Sequence, residues 1–210
     1  MQFYRVELKS LSKSFYLAKN FVTCSEFLEY LNFDGHSNIA SDGSYKYYNF
    51  VNPDLPIFLD GDRYLCKPNC CAKPVTGLSW KGAQAYANFR GFRLLTLSEW
   101  TAMVHEGGLS KDGISLRNKD RWPSENIDYE TQFTPLYESF SIGISTWLQP
   151  DNFSGGSAES LIRENNKSQY VAGYGFNKTV NDMDNNWLYQ RWGRTGAISV
   201  GLRCVRDETG

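Results

Sequence analysis

This sequence of 210 residues contains five cysteines, whose thiols could bind a metal ion or form disulfides. The stretch CKPNCC contains Cys66, Cys70 and Cys71, whereas Cys24 and Cys204 stand apart from it. Tetrahedral zinc needs four ligands, and neither a second CxxC motif nor a histidine pair accompanies the cluster. Because five is an odd number, at least one thiol cannot pair within the chain. We expect free or locally paired thiols rather than structural zinc or a secreted disulfide framework.

Acidic residues and histidines give little support for a metal site. The stretch DMDNN at 182–186 alternates oxygen ligands like the start of a calcium loop. Trp187 and Gly193 occupy the sixth and twelfth positions, where an EF-hand has Gly and Glu, so only a looser structural calcium site stays open. His36 and His105 are too few for the three ligands that an iron site normally needs. Without GxSxG, HExxH, P-loop or GxGxxG motifs, we expect no catalytic residues and no cofactor.

The segment 177–192 carries a different chemistry, because it mixes amides and acids with large aromatic side chains. Rigid aromatics and adaptable amides are typical of recognition surfaces. A solvated polar loop with two or three aromatics packed into the core stays open as the alternative. Trp147 and the loop 149–169 are further candidates for the same surface. The candidate ligand-binding residues are Asn177, Lys178, Asn181, Asp182, Asp184, Asn185, Asn186, Trp187, Tyr189, Arg191 and Trp192.

Helices must position these residues, and three are predicted in the first half of the chain. The stretch 22–31 has the capping-box spacing S/T-x-x-E and one apolar face. A second helix is predicted over 79–89, after a short strand that begins at residue 74, and Gly91 ends it. The pair Thr96 and Glu99 repeats the capping-box spacing and begins a third helix that should end near 107–108.

The second half of the chain alternates short strand candidates with polar loops. The predicted strands lie in 141–148, 169–176 and 197–206. The stretch 36–73 is expected to be a long loop that is either functional or anchored by its own aromatic side chains. Helices followed by strands favour an α+β fold, and no repeat or linker divides the chain, so we expect one domain over 1–210.

The composition limits the classes of partner. Lys and Arg number 22 and Asp and Glu 23, so no global field attracts nucleic acid or an anionic membrane. Aromatic residues reach 15%, which favours aromatic-rich packing of an irregular fold, with an aromatic binding face as the alternative. The opening MQFYRVELK lacks the features of a signal peptide, and no apolar run approaches the ~20 residues of a membrane span. We expect no membrane insertion, and a cytoplasmic or virion-associated protein.

The stretch PVTGLSWKGAQAYANFRGFRLLTLSEW at 74–100 resembles the signature P-V-x-x-V-S-W-x-D-A-x-A-Y-C-x-W-x-G-x-R-L-P-T-E-A-E-W of the formylglycine-generating enzyme (sulfatase-modifying factor) family. FYLAKNFVTCSEFLEYL is similar to the opening of that family, and GLRCVRD at 201–207 is similar to its terminal G-F-R segment. The matching positions of the central stretch are Pro74, Val75, Ser79, Trp80, Ala83, Ala85, Tyr86, Gly91, Arg93, Leu94, Thr96, Glu99 and Trp100.

The resemblance implies a C-type-lectin-like fold with little regular secondary structure and long loops. It also implies that 201–207 is a strand inside the sheet, with Leu202 and Cys204 toward the core and Arg203 and Val205 on the other face. In the enzymes of the family a pair of cysteines binds copper, because soft thiolate ligands suit Cu(I). No cysteine lies between Cys71 and Cys204, so the pair cannot be assigned to this chain. The iron-dependent branch would need histidines of an additional helical domain, which this chain lacks.

We therefore expect a non-catalytic, ligand-binding member of the family. Its sharpest form is a variable protein of a diversity-generating retroelement of a phage, bacterium or virus, whose diversified segment precedes the terminal G-F-R strand. The partner would be a protein or another surface ligand. Two alternatives stay open: a divergent metal-dependent oxidase that uses Cys66, Cys70 and Cys71, and a structural virion module recognisable by a large self-complementary apolar patch.

Overall fold

The computed structural model describes residues 1–33, 38, 46–106, 144–153, 167–173, 188–194, 196–197 and 199–208. The helices within these ranges are α1 (Cys24–Leu31), α2 (Trp80–Phe89) and α3 (Leu97–Glu106). The strands are β1 (Phe3–Leu8), β2 (Lys13–Ala18), β3 (Ile57–Asp60), β4 (Arg63–Cys66), β5 (Arg93–Leu94), β6 (Ser145–Trp147), β7 (Ser168–Ala172), β8 (Leu188–Trp192), β9 (Val200–Gly201) and β10 (Cys204–Asp207). Helices packed with mostly antiparallel sheets make the chain an α+β protein.

The three helices begin directly after the capping residues that were predicted from the sequence. Thr23 and Glu26 form a reciprocal capping box at α1, and the Ser79 hydroxyl accepts from the backbone of Gly82 at the start of α2. Gly91 follows the last turn of α2 with a φ of +70°, a conformation that glycine adopts without strain. Helix α3 ends at Glu106, which agrees with the expected boundary to within the usual one or two residues.

The strand β10 lies inside a sheet of order β1-β2-β10-β5. Val205 pairs with Leu17 on one side and with Arg93 on the other, so the segment 201–207 is ordered by hydrogen bonds along both edges. This confirms the predicted terminal strand, which occupies only residues 204–207 of the expected stretch. The hairpin of β1 and β2, in contrast, was not predicted from the sequence.

Both faces of this terminal segment are buried over 202–205, so the face of Arg203 and Val205 belongs to the interior as much as the expected core face does. Arg203 and Val205 are as inaccessible to solvent as Leu202 and Cys204. The Arg203 guanidinium lies 4.8 Å from the centre of the Phe21 ring, and burial lowers the pKa of Arg203 to about 9. The arginine therefore packs as part of the interior.

A hairpin lies within the stretch 36–73 that was expected to be a loop. Strands β3 and β4 pair from Ile57↔Cys66 to Asp60↔Arg63. Gly61 turns the chain between them with a φ of +56°. The pair Gly61-Asp62 between the two strands is a two-residue hairpin signal, so the loop prediction was wrong for these residues.

The second sheet has the order β8-β7-β6-β9, in which β6 and β9 are parallel and the other pairs antiparallel. Strands β6, β7 and β9 correspond to the three stretches predicted in the second half of the chain, although each is shorter than its stretch. The strand β8 was not predicted, because its residues were assigned to the recognition segment 177–192. The core beside the sheets is rich in aromatic side chains, as expected, with Trp80, Trp100 and Trp147 almost fully buried. None of the described helices is long and apolar enough to cross a membrane.

A buried carboxylate connects the first sheet to α3. Glu99 is completely inaccessible to solvent. Its carboxylate accepts two hydrogen bonds of 2.8 Å from Arg93 and forms an ion pair of 2.6 Å with Lys13. Arg93 also bonds Asp207, and the backbone N–H of Thr96 donates to Glu99. Burial alone would raise the pKa of Glu99, but the bonds from Arg93 and Lys13 outweigh it and hold this pKa below its usual value.

We predict that Glu99→Gln lowers the free energy of unfolding at pH 7 by about 3 kcal/mol, because it leaves Arg93 without its buried counter-charge. Denaturant unfolding followed by circular dichroism measures the change. The matched control is Glu29→Gln, which removes an exposed partner of Arg90 and should cost less than about 1 kcal/mol. Equal losses for the two variants would contradict the assignment.

Candidate functional site

The predicted recognition segment, 177–192, contains β8 and most of the connection that leads to it from β7. These two strands form a hairpin. Most of the segment's candidate residues lie outside the described part of the chain: Asn177, Lys178, Asn181, Asp182, Asp184, Asn185, Asn186 and Trp187. The same holds for the stretch 182–186 that was considered for calcium. The structure does describe the strands on both sides, where Ala172 pairs with Leu188. The two ends of the connection are therefore held side by side.

The register of this hairpin separates its side chains into two faces. Paired residues of an antiparallel ladder project to the same side, and the side alternates along each strand. Val171↔Tyr189 and Gln169↔Arg191 share one face, and Tyr170↔Gln190 and Ser168↔Trp192 share the other. Of the three predicted residues in β8, Tyr189 and Arg191 thus lie on one side and Trp192 on the other.

The face with Tyr189 is turned toward the core. Tyr189 is only 6% exposed, its hydroxyl donates to Ser145 Oγ at 2.8 Å, and burial raises its pKa. Trp147, an additional candidate, is fully buried and donates its indole N–H to the Leu78 carbonyl at 3.0 Å. These two aromatics belong to the interior. This agrees with the alternative interpretation, a solvated polar loop with two or three aromatics packed into the core.

The opposite side, which we call the outer hairpin face, consists of Ser168, Tyr170, Gln190 and Trp192. Trp192 is 50% exposed, Ser168 and Gln190 are exposed, and Tyr170 is half-buried. Of these residues, Tyr170 and Gln190 were not among the sequence-based candidates. The alternation of buried and exposed residues across two paired strands could have identified them, but only once the register was known.

The hairpin rests on the start of α2. The backbone N–H of Gly193 donates to Lys167 at 2.9 Å, and the N–H of Trp80 donates to Gly193 at 2.8 Å. The indole of Trp80 also donates to the Leu148 carbonyl at 2.8 Å. The outer hairpin face is therefore supported by rigid elements rather than by another loop.

The cysteines lie away from this face. Cys204 is fully buried in β10 opposite Leu94, and burial raises its pKa, which favours the neutral thiol. Within the described residues, no group of three or more His, Cys, Asp or Glu side chains is arranged to hold a metal ion. His105 is exposed in the last turn of α3, and His36 lies outside the described residues.

We predict that the two faces of the hairpin respond differently to substitution. Tyr189→Phe should lower the free energy of unfolding by about 1 kcal/mol, because it removes a buried hydrogen bond. Trp192→Ala should change it by less than about 1 kcal/mol, because half of the side chain is already in water. Urea unfolding measures both values, and a larger loss for Trp192→Ala than for Tyr189→Phe would reverse our assignment of the faces.

Solved structures share this architecture. PvdO from Pseudomonas aeruginosa superimposes with a TM-score of 0.56 at 14% identity, over 93% of this chain and 81% of that chain. CarF superimposes with a TM-score of 0.55 at 15% identity, over 93% of this chain and 87% of that chain. At these identities the similarity concerns the fold alone.

Sequence comparison gives relatives and a family. Two serine/threonine-protein kinases named pkn1, from Chlamydia pneumoniae and Chlamydia caviae, are each 34% identical to this chain over 101 and 89 residues. Those matches cover 47% and 41% of this chain but only 15% and 13% of the kinases' length. The model of the sulfatase-modifying factor enzyme 1-like domain matches residues 6–136, which is more than half of the chain. This protein therefore belongs to the sulfatase-modifying factor enzyme 1-like domain family.

Proposed function

We propose that this chain is a non-catalytic recognition domain of its family, with a C-type-lectin-like fold. Its binding surface would combine the segment 177–187 with the outer hairpin face. The sharpest form of the proposal is a variable protein of a diversity-generating retroelement, whose partner is a protein or another surface ligand.

The distribution of cysteines is the observation that carries the proposal. Copper-dependent chemistry of the family needs two thiolates close together, and the chain has no cysteine between Cys71 and Cys204. Cys204 cannot replace one of them, because it is buried in the middle of a paired strand as a neutral thiol. The position that would do the chemistry therefore lacks the required ligands.

The hairpin supports the recognition role in two ways. Its paired ends can carry a segment of varied sequence, because the ladder of β7 and β8 holds Ala172 and Leu188 in register on either side of it. Trp192 beside Gln190 and Tyr170 supplies aromatic area and an amide, the residue types that are enriched where proteins bind proteins. We infer that the two parts form one surface.

The relatives and the residue types of the segment are compatible with this role. In the pkn1 kinases the similar region is a small part of a larger protein. This chain lacks the GxGxxG loop of protein kinases, so we infer an accessory module rather than a kinase domain. The asparagines of 177–186 fit a diversified segment, because adenine-directed mutagenesis acts on adenine-rich codons and asparagine has such codons.

The first test concerns catalysis. Purified protein is incubated with Cu(I) under argon, dialysed and analysed for copper and iron, and then exposed to oxygen with a cysteine-containing peptide. We expect no aldehyde in the peptide by mass spectrometry, whether or not copper is retained by the thiols of the CKPNCC cluster.

Aldehyde formation that depends on added metal would overturn the proposal in favour of the metal-dependent oxidase. A Cys66→Ser, Cys70→Ser, Cys71→Ser triple variant is the matched control. Loss of aldehyde formation in that variant would assign the oxidase site to the CKPNCC cluster.

The second test concerns diversification. We expect the DNA around the gene to contain a reverse transcriptase and an imperfect repeat of the segment that encodes 177–192, with differences confined to adenines. In parallel, a displayed library randomised at 177–187 is selected against lysozyme. Folded, lysozyme-binding members are expected, and their binding should fall at least tenfold on Trp192→Ala. A library whose members do not fold would contradict the proposed surface.

A further inference from the structure

Cysteines from two distant parts of the chain meet where the loop 67–73 lies against the first turn of α1. The backbone N–H of Ser25 donates to the Cys71 carbonyl at 2.9 Å, and the N–H of Cys24 donates to Lys73 at 2.8 Å. The loop itself is folded by hydrogen bonds from Cys70 to Lys67 and from Lys73 to Cys70. The hydrogen bonds of the backbone therefore hold the CKPNCC cluster against Cys24.

Cys66 is the central sulfur of this group. It ends β4, where it pairs with Ile57, and the following N–H, of Lys67, donates to Pro56 at 2.8 Å. The side chains of Cys24 and Cys71 lie close enough to the Cys66 sulfur to affect its ionisation. Cys66 is thus held in a fixed strand with two thiols beside it.

The three thiols differ in accessibility and acidity. Cys24 is fully buried, Cys66 is half-buried and Cys71 is exposed. The bond from Cys24, helped by the bond from Cys71 and by the charge of Lys73, lowers the pKa of Cys66 to about 7 against the cost of burial. A thiol with its pKa near ambient pH is suited to attack a disulfide.

We propose that Cys66 and Cys71 form a thiol–disulfide exchange site that reacts with low-molecular-weight disulfides of the glutathione class. Reduced Cys66 is the attacking group, and Cys71 closes the intramolecular disulfide. The site lies outside the proposed recognition surface and does not depend on it.

The exchange balances in two steps. The Cys66 thiolate attacks one sulfur of glutathione disulfide, the S–S bond breaks, and one glutathione leaves as a thiolate. Cys71 then loses its proton and attacks Cys66 Sγ in the mixed disulfide, and the second glutathione leaves. The two cysteines lose two electrons, which reduce the external disulfide to two thiols, and the released protons go to the departing thiolates.

Cys71 is a better resolving group than Cys24. The Cys24 thiol is held in the first turn of α1, donates to the Pro74 carbonyl at 3.7 Å and has a strongly raised pKa. The pKa of Cys71 is raised chiefly because its thiol donates to Cys66. Once Cys66 carries glutathione, the chief cause of the raised pKa of Cys71 is removed, whereas burial still raises the pKa of Cys24.

Intact and peptide mass spectrometry after treatment with glutathione disulfide at pH 7 tests the proposal. The wild-type chain should form the Cys66–Cys71 disulfide without retained glutathione. Cys71→Ser should instead accumulate glutathione on Cys66, and Cys66→Ser should lose the intramolecular disulfide. The neighbouring substitution Cys70→Ser is the matched control, and it should leave the disulfide yield unchanged.

Circular dichroism checks that each variant is folded before it reacts. A disulfide that persists in Cys66→Ser, or one that joins Cys24 to Cys66, would overturn the assignment. Equal glutathione incorporation at Cys70 and Cys66 in Cys71→Ser would do so as well, because it would show that the cluster has no preferred attacking thiol.

Discussion

The pairing of buried Glu99 with Arg93 is the interaction on which the first sheet depends. A carboxylate with no access to water is tolerated only when its charge and its lone pairs are satisfied. Arg93 from β5, Lys13 from β2 and the N–H of Thr96 together meet this condition, and Arg93 continues to Asp207 in β10. One side chain thus ties three strands to a helix, and none of them can shift without exposing an unpaired charge in the interior.

This network explains why the most recognisable motif of the sequence says little about chemistry. Arg93, Thr96, Glu99 and Trp100 all belong to the stretch that resembles the formylglycine-generating enzyme signature. In the structure, the first three cap α3 and join it to the sheet, and Trp100 is buried in the core. The motif therefore identifies a scaffold, and a scaffold can be shared by members that do different things.

The parts of the fold that could be predicted from sequence are those specified by neighbouring residues. The caps at Thr23, Ser79 and Thr96 require partners only three residues away, so their helices were found. The burial of Arg203 depends on Phe21, far away along the chain, and no local pattern reveals it. The hairpin of β1 and β2 is local, but its connection, residues 9–12, has none of the Gly, Asn or Asp residues that mark a tight turn.

The candidate site shows the same division. Residue types alone indicated an aromatic and amide-rich segment, but they could not separate buried Tyr189 from exposed Trp192. The separation depends on the pairing with β7, which also adds Tyr170 and Gln190 to the outer hairpin face. Side-chain chemistry can thus be read from the chain, whereas the direction in which each side chain points requires the partner strand.

The position of β10 has a consequence for biosynthesis. Leu17 of β2 pairs with Val205, so the sheet cannot close until the ribosome has synthesised residues far from β2 along the chain. Until then β2 presents an unpaired edge, which is the kind of surface that quality-control systems detect. Because the segment 177–187 is translated before β10, a frameshift or stop codon within it removes the strand that completes the sheet. The fold then acts as a reading-frame filter, because only in-frame versions of the segment 177–187 can yield folded protein.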